Sequence, residues 1–233
     1  MDDLRISLVI PAYNEERHIR SCLDSVAAQT VKPYEVIVVN NNSTDSTTEI
    51  ASSYDFVTLI HESKQGIIFA RNAGFAAAHG DIIARIDGDS ILPKNWMEYV
   101  GRFFVDPRNE SYIGITGTLY FVDRGFRNLW TALHRISYFG VAALVYWRQV
   151  FYGGSMAFRA SALPHVWKYA KDTTNIHEDV DLTLALASLG KVAYRSELRV
   201  GVSYRGTVNG SKKMLRYLVI LVSFWRYRPL VRR

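Results

Sequence analysis

The sequence predicts an α/β protein built on a mostly parallel sheet with helices on both faces. Short runs of β-branched residues alternate with helix-like stretches over residues 6–89, in the order β-α-β-α-β-α-β, which is typical of such a sheet. The run 82–86 lacks the apolar–polar alternation of a half-exposed strand, as expected for a strand covered on both faces. It ends in Asp87-Gly88-Asp89, and open α/β sheets bind ligands at the carboxyl ends of their strands.

Local signals set the bounds of each predicted element. Pro11 is expected to stop the first strand, and Asn14 to cap the first helix through its side-chain oxygen. Gly80 is expected to end the third helix. The predicted strands span 6–10, 34–39, 57–60, 82–86 and 113–119, and the predicted helices span 15–28, 46–53, 69–78 and 96–105.

Size and composition fit one domain. The chain has 233 residues, of which 48% are hydrophobic, and this is enough for a sizeable core. Cys22 is the only cysteine, so no disulfide forms within the chain and a reducing compartment is expected. Met1-Asp2-Asp3 is acidic, unlike the start of a signal peptide, so we expect a cytoplasmic protein.

The net charge of +6 comes from the end of the chain. Residues 212–233 hold seven basic residues and no acid, and subtracting these seven from 28 leaves 21 basic against 22 acidic residues elsewhere. A body of charge −1 does not favour nucleic-acid binding. The basic, apolar tail instead favours a peripheral position on an anionic membrane surface, with a contact in a homo-oligomer as the alternative.

Two apolar runs without charges, 136–147 and 217–225, are each bracketed by arginines. Both are shorter than the roughly 20 residues that cross a bilayer. Each fits either a buried core helix or a segment in the membrane interface, and the sequence leaves this choice open.

Asp87 and Asp89 are the first residues that indicate chemistry. Two carboxylates separated by one glycine repel each other unless a cation binds between them. Mg²⁺ is typically held by one or two carboxylates together with substrate phosphates. The alternative is a polar turn that caps the helix following Pro93.

The loops after the first two strands are rich in Asn, Ser, Tyr and acidic side chains. Because no Gly-x-Gly-x-x-Gly motif follows the first strand, an ordinary dinucleotide-binding fold is disfavoured. Polar side chains of this kind suit hydrogen bonds to a base and a ribose, although turn formation and helix capping explain the same residues.

Six motifs in this order resemble those of family 2 glycosyltransferases, the inverting GT-A enzymes that use nucleotide-sugar donors. They are LVIPAYNEE at 8–16, VVNNNSTD at 38–45, ARNAG at 70–74, DGD at 87–89, GGSMAFR at 153–159 and EDVD at 178–181. The resemblance covers about residues 5–190 and implies a Rossmann-like GT-A sheet in a single catalytic domain over 1–211. Its nucleotide-binding part would span about 1–92 and its acceptor part about 93–211, followed by the basic amphipathic tail 212–233.

By this resemblance, one set of residues binds the donor nucleotide, expected to be a UDP- or GDP-sugar. The set consists of Pro11, Ala12, Tyr13, Glu15, Asn40, Asn41, Arg71 and Asp87. Asp89 is implied to bind a divalent Mn²⁺ or Mg²⁺ ion directly, with Asp87 close to both the ribose and the metal.

A second set is implied to act on the sugar and the acceptor. Gly153, Gly154 and Ser155 line the pocket where the donor sugar meets the acceptor, and Asp179 is the general base. Glu178 and Asp181 are rivals for that role. The acceptor is expected to be a hydroxyl group on a glycan, a lipid-linked molecule or a cell-envelope polymer.

The chain departs from the family pattern at two points. Relatives often carry Asp where this chain has Asn40 or Asn41, and because Asn offers a donor as well as an acceptor, the choice of nucleobase stays open. The Gln-x-x-Arg-Trp motif of processive synthases is missing, so single additions are expected. His177 adjoins the acids, and whether it touches the metal also stays open.

Two other classes of protein remain as alternatives. A nucleotidyltransferase that makes nucleotide-sugars uses a similar sheet, but it favours a glycine-rich basic loop after the first strand, where this chain has PAYNE. A non-catalytic membrane-surface binding module is the second alternative, although intact Asp87, Asp89 and Asp179 argue against it.

Overall fold

The computed structural model describes residues 4–122, 132, 136–140, 149–169 and 178–202. The tail 212–233, with the apolar run 217–225 inside it, lies outside these residues, as do His177 and residues 141–147. Within the described part of the chain, no helix is both long enough and apolar enough to cross a membrane.

Nine strands and six α-helices make up the described fold. The strands are β1 Ile6–Ala12, β2 Glu35–Asn40, β3 Val57–His61, β4 Ile82–Arg85, β5 Tyr112–Thr116, β6 Leu119–Phe121, β7 Met156–Arg159, β8 Lys191–Tyr194 and β9 Val200–Val202. The helices are α1 Ile19–Ala27, α2 Thr47–Ser52, α3 Ile67–Ala76, α4 Trp96–Val105, α5 Leu163–Tyr169 and α6 Glu178–Ala185, with a π-helical turn at Ile136–Gly140.

The main sheet contains seven of these strands in the order β3-β2-β1-β4-β7-β5-β8. β7 runs antiparallel to both of its neighbours, and every other pair in the sheet is parallel. β6 and β9 form a separate parallel pair. The predicted mostly parallel α/β sheet is confirmed.

Helices cover both faces of this sheet, and β4 shows why its run lacks alternation. Ile82 and Ala84 pack into the core on one face, with residues of α1 and α4. Ile83 packs into the core on the other face, with residues of α3, α5 and α6. Since side chains alternate along a strand, Arg85 projects to the same face as Ile83, towards α3 and α6.

The first strand does not stop at Pro11, contrary to the prediction. Val9 accepts a hydrogen bond from Ile86 on the β4 side, and Ala12 accepts one from Asn41 on the β2 side. By this alternation the nitrogen of Pro11 faces the β4 side, beyond the last residue of β4. A missing N–H costs no ladder hydrogen bond there, so the strand continues to Ala12.

The first helix begins later than predicted, at Ile19 instead of residue 15. Its N-terminal flanking residue is His18, and no side chain caps it. Asn14 lies outside the helix with a left-handed φ of 53°, a conformation that Asn tolerates better than most residues. The predicted cap is therefore wrong, and Asn14 instead hydrogen-bonds to the loop after β2.

The strand predicted at 113–119 is divided at Gly117. β5 ends at Thr116 in the main sheet, and β6 begins at Leu119 in the two-stranded sheet. A Cβ atom at Gly117 would overlap the carbonyl group of Leu198. Glycine therefore allows the chain to cross here from one sheet to the other.

Candidate active site

The candidate site lies at the edge of the sheet where β1, β2 and β4 end. Ser90 closes a tight turn after β4: its N–H donates to the Asp87 carbonyl at 3.0 Å, and its hydroxyl accepts from the Asp87 N–H at 3.2 Å. Gly88 packs against the loop after β1, since a Cβ there would lie 3.2 Å from Glu15 Cγ. The turn therefore places Asp87 and Asp89, both partly exposed, beside Glu15.

Asn14 fastens the loop after β1 to the loop after β2. Its N–H donates to Ser43 Oγ at 3.1 Å, and its Oδ1 accepts from the Thr44 N–H at 2.8 Å. These bonds require the left-handed backbone at Asn14 and the short polar side chain together. The two loops that were predicted to receive the nucleoside thus form one continuous surface.

On that surface the predicted nucleotide-binding residues differ in exposure. Pro11 and Ala12 are buried in the last part of β1. Tyr13 is 50% exposed, and Glu15 is partly exposed, with its N–H donating to Thr47 Oγ1 at 2.7 Å. Tyr13 and Glu15 are therefore the members of this group whose side chains face outwards.

Asn41 uses its side-chain amide to hold the loop between β3 and α3. Its Nδ2 donates to the carbonyls of Glu62 at 2.9 Å and Lys64 at 2.8 Å, and its Oδ1 accepts from the Gly66 N–H at 2.7 Å. The side chain is 2% exposed. In the described structure Asn41 shapes the loop beside the predicted base site instead of presenting its amide to solvent.

Asn40 lies next to it, paired across the sheet with His61. Its Nδ2 lies 3.2 Å from His61 Nδ1, and its Oδ1 accepts from the Ser43 N–H at 3.0 Å. His61 is exposed at the carboxyl end of β3. Sequence reasoning missed His61, because only the strand register brings this histidine to the edge.

A buried ion cluster joins the end of β4 to the start of α6. Arg85 Nη1 lies 2.6 Å from Glu178 Oε1 and 3.3 Å from Asp179 Oδ1, and Arg85 Nη2 lies 3.1 Å from Asp87 Oδ1. Arg71, on α3, contributes Nη1 at 2.9 Å from Glu178 Oε2. The guanidinium of Arg85 thus contacts both Asp179, the predicted base, and Asp87, the acid predicted to lie near the ribose and the metal.

Arg71 is wholly buried in this cluster. Its Nε and Nη2 donate to Asn72 Oδ1 at 3.1 and 2.9 Å, and its Nη1 also donates to the Glu178 carbonyl at 3.0 Å. The contact to a base or diphosphate implied for Arg71 would require this side chain to leave Glu178.

Arg85 is a second residue that sequence reasoning missed. It is the last residue of β4, and it is 2% exposed. A signal was present, because a lone arginine interrupts the apolar run 82–86, and buried charges in proteins are paired. The partners on α6 lie far along the chain and could not be identified from the run.

The pKa values of two adjacent acids at the start of α6, Glu178 and Asp179, are shifted in opposite directions. Both are buried, which favours their neutral forms. The guanidinium groups of Arg85 and Arg71 overcome that effect at Glu178 and lower its pKa. Burial and the negative charge of Glu178 raise the pKa of Asp179 well above its usual range. Tyr138, in the π-helical turn, places its hydroxyl 3.3 Å from Asp179 Oδ2.

The predicted sugar and acceptor residues 153–155 pack around these acids. A Cβ at Gly153 would stand 2.5 Å from Asp179 Oδ1 and 2.8 Å from Arg85 Cζ. The Gly153 N–H also hydrogen-bonds to the Asp179 carboxylate. Glycine is therefore required at 153 for the base and the guanidinium to meet.

Gly154 and Ser155 have structural contacts. A Cβ at Gly154 would lie 2.8 Å from the Tyr152 ring. The Ser155 hydroxyl is fully buried, donating to the Leu198 carbonyl at 2.6 Å and accepting from Trp96 Nε1 at 3.2 Å. Of the three predicted residues, Gly153 is the one in contact with the acids.

Asp87 and Asp89 fit a divalent metal by the chemistry of their donors. Partly exposed carboxylates at a strand end suit Mg²⁺ or Mn²⁺, which take oxygen ligands and complete their coordination with phosphates and water. Among the described residues, no group of three or more His, Cys, Asp or Glu side chains could hold an ion. These acids therefore fit a metal shared with a diphosphate better than one held by protein alone.

The fold is of the GT-A class, as its likeness to solved structures shows. Residues 7–167, more than half of the chain, match the family described as Glycosyl transferase family 2. The chain belongs to this family.

A curated relative is the glycosyltransferase AglE of Haloferax volcanii, 42% identical over 100 residues. That match covers 40% of this chain and 33% of AglE, so the chain spans about a third of this relative's length.

Two solved structures share the fold at low identity. The mannosyltransferase PcManGT of Pyrobaculum calidifontis, in complex with GDP-Man and Mn²⁺, is 19% identical with a TM-score of 0.73, over 98% of this chain and 68% of that chain. Glucosyl-3-phosphoglycerate synthase of Mycobacterium tuberculosis, with Mn²⁺, UDP and glucosyl-3-phosphoglycerate, is 21% identical with a TM-score of 0.69, over 96% of this chain and 80% of that chain.

Proposed function

We propose that this chain is an inverting, metal-dependent glycosyltransferase that moves a sugar from a nucleotide-sugar donor to an acceptor hydroxyl. One observation carries the proposal: Asp179 and Asp87 contact the two terminal nitrogens of one guanidinium, at 3.3 and 3.1 Å from Arg85. A candidate base thus lies beside an acid of the donor site. Inverting transfer needs this proximity, because the acceptor hydroxyl loses its proton while it attacks the carbon that the diphosphate leaves.

The donor is a UDP- or GDP-sugar in this proposal. The surface formed by the loops after β1 and β2 would receive the nucleoside, with Tyr13 and Glu15 as the outward side chains and Asn40 with His61 at its far side. The structural neighbours named above are complexes with GDP-Man in one case and UDP in the other, which supports a donor of this class.

Asp87 and Asp89 would hold the metal. When bound, a divalent ion supplies Lewis-acid stabilisation of the negative charge that develops on the departing diphosphate. Both neighbours contain Mn²⁺, which supports the assignment without deciding between Mn²⁺ and Mg²⁺.

Asp179 accepts the proton of the acceptor hydroxyl. Its raised pKa brings it nearer to the working pH, where a general base is most effective. Glu178 is less suited, because both of its carboxylate oxygens are held by arginines at 2.6 and 2.9 Å and its pKa is lowered. The Tyr138 hydroxyl and the Gly153 N–H would orient the Asp179 carboxylate.

The acceptor is a hydroxyl group on a glycan, lipid-linked or cell-envelope molecule, and the basic tail 212–233 would bring the enzyme to an anionic membrane where such acceptors lie. The tail carries seven basic residues and no acid, which favours anionic vesicles over neutral ones. We expect the full chain to co-sediment with anionic vesicles and a chain ending at 211 not to. Equal co-sedimentation of the two would assign the membrane contact elsewhere, and a change in oligomeric state alone would favour the homo-oligomer role.

The decisive experiment is a thermal-shift panel of UDP, GDP, CDP, dTDP and their sugars, each with Mn²⁺ or EDTA. A nucleotide at 100 times its dissociation constant stabilises the folded state by about 2.7 kcal/mol. We expect one nucleotide class to stabilise the protein with Mn²⁺ and not with EDTA. No stabilisation by any nucleotide would contradict the proposal and favour the membrane-surface binding module.

Stereochemistry tests the inverting mechanism separately. With an α-linked donor that binds in the panel, the first-formed sugar product should be the β-anomer by proton NMR, before mutarotation. Retention of the α-anomer would exclude Asp179 as a base acting in a single displacement. Release of pyrophosphate from a nucleoside triphosphate and a sugar phosphate would favour a nucleotidyltransferase instead.

A further inference from the structure

Arg85 stands where the pattern of β4 calls for an apolar residue. A buried guanidinium is costly unless its charge is paired, so a strand residue of this kind needs compensating acids. Its neighbour Ile83, on the same face, packs in the hydrophobic core. The chain therefore keeps a charged side chain in a position where a purely structural residue would be aliphatic.

The compensation comes from two separate elements. Glu178 and Asp179 on α6 lie at Nη1, and Asp87 in the turn after β4 lies at Nη2. The buried Nε has no hydrogen-bond partner among the described residues. The arginine thus uses the fork of its two terminal nitrogens to span the gap between the helix that carries the base and the turn that carries the donor-site acids.

We infer that Arg85 is a positioning residue that ties Asp179 to Asp87, so that the base and the donor-site turn form one unit. The inference rests on the proposed function. A planar guanidinium with two nitrogens in fixed geometry can hold both carboxylates at once, whereas a lysine ammonium acts as a single point charge. Gly153 completes the arrangement, since any side chain there would occupy the space where Asp179 Oδ1 and Arg85 Cζ lie.

Arg71 provides a comparison within the same cluster, because among the described ion pairs it contacts Glu178 without contacting Asp179 or Asp87. Its terminal nitrogens go to Glu178 and Asn72. Both arginines neutralise Glu178, but Arg85 adds contacts to Asp179 and Asp87. Those two contacts distinguish positioning of the base from neutralisation of the neighbouring acid.

The test is a double-mutant cycle of Arg85→Gln and Asp179→Asn in the full chain. The probe is the nucleotide-sugar that stabilises the wild type with Mn²⁺, turned over with water as acceptor and followed as release of the nucleoside diphosphate. Nucleotide binding with Mn²⁺ is measured in parallel by thermal shift. Arg102→Gln is the matched control, because it makes the same change at an exposed arginine that pairs with Glu98 on α4.

We expect Arg85→Gln to lower kcat about 10- to 100-fold when Asp179 is present. In the Asp179→Asn background the same change should lower kcat less than about 3-fold, because a positioning residue has no effect without the base that it positions. Arg102→Gln should leave kcat unchanged. Arg85→Lys keeps the positive charge and serves as the second variant if Arg85→Gln does not fold. It should retain nucleotide binding but lower kcat at least about 5-fold.

The pH profile of kcat gives a readout that loss of packing would not move. The groups around Asp179 come from every neighbouring element: Arg85 from β4, Glu178 from α6, Tyr138 from the π-helical turn, Tyr152 from the segment before β7 and Asp87 from the turn. Arg85 is the one cation in this set, and its positive charge favours the ionised form of Asp179. Arg85→Gln should therefore move the acid limb of the profile to higher pH, and Arg85→Lys should return the limb towards its wild-type position.

Equal effects of Arg85→Gln in both backgrounds, with an unmoved acid limb, would overturn the role of Arg85 and leave the proposed function intact. A wild type that neither binds nor turns over any nucleotide-sugar with Mn²⁺ would overturn the proposed function, and the role of Arg85 with it.

Discussion

Asn41→Asp replaces a buried amide by a carboxylate, and we expect it to destabilise this chain. The amide of Asn41 donates to the carbonyls of Glu62 and Lys64 and is buried, at 2% exposure. An ionised Asp has no donor, so the partly buried hydrogen bonds to the carbonyls of Glu62 and Lys64 would be lost and both carbonyls would face a negative oxygen. Each unsatisfied buried group costs about 1–3 kcal/mol, so two give about 2–6 kcal/mol. Because these two bonds are partly buried, we expect a loss near the lower end, about 2 kcal/mol.

The loss should depend on pH in a defined direction. In the Asn41→Asp variant a protonated carboxyl group can donate one hydrogen bond again, so the pKa of the introduced acid is raised in the folded state above its unfolded value. Stability gained in this way is present at low pH and is lost as pH rises through the folded pKa. The variant should therefore approach the wild type towards about pH 4 and fall behind it at about pH 8.

Urea unfolding at both pH values measures the effect as the change in midpoint at constant slope. Asn42→Asp is the matched control, because Asn42 is more exposed than Asn41 and its amide donates to the Ser63 carbonyl at 2.7 Å in an exposed setting. We expect less than about 1 kcal/mol for the control, as for most surface changes. A loss below about 1 kcal/mol for Asn41→Asp at the higher pH would refute the view that Asn41 is a structural clamp.

Three further predictions concern substitutions of Asp179, Asp89 and Gly153. Asp179→Asn should keep nucleotide affinity and lower turnover about 100-fold or more. It should also gain stability over the wild type as pH rises from about 4 to about 8, because Asp179 ionises in the unfolded chain over this range while its raised pKa keeps it protonated in the folded protein. An unchanged rate would remove Asp179 as the base. Asp89→Ala should abolish the difference between Mn²⁺ and EDTA in nucleotide binding, and a binding curve that still responds to Mn²⁺ would reject Asp89 as ligand. Gly153→Ala forces a Cβ to 2.5 Å from Asp179 Oδ1 and should lower turnover at least about 10-fold. Gly140→Ala is the control expected to behave as wild type, because among the described residues its Cβ would meet nothing closer than 3.9 Å.

The first half of the fold could be predicted because its signals are local. Each βα unit up to β4 combines an apolar run with a following helix-like stretch, and the parallel order follows from that alternation. The boundaries predicted at Pro11 and Asn14 were wrong because contacts with neighbouring elements outweigh the local sequence signals there. Pro11 stays in β1 because β4 has already ended on that side, and Asn14 leaves the helix because its side chain binds the next loop.

The second half resisted prediction because it depends on distant contacts. β7 enters the sheet between β4 and β5 and runs antiparallel to both, an arrangement that no pattern within 156–159 indicates. The residues of the candidate site divide in the same way, into those with a local sequence signal and those that depend on distant contacts. Asp87 and Asp89 could be recognised as a pair from the turn alone, whereas the link from Asp87 to Asp179 passes through Arg85 and exists only once α6 packs on that face of the sheet.

The charge balance of the buried cluster explains why its two adjacent acids behave differently. Arg71 and Arg85 supply two positive charges to three carboxylates, those of Asp87, Glu178 and Asp179. Glu178 contacts both arginines through separate oxygens, so it keeps its negative charge. Asp179 shares one arginine with the other two acids, and burial beside Glu178 makes its ionisation the costly one. Turnover should therefore rise towards alkaline pH as Asp179, the residue proposed as base, loses its proton.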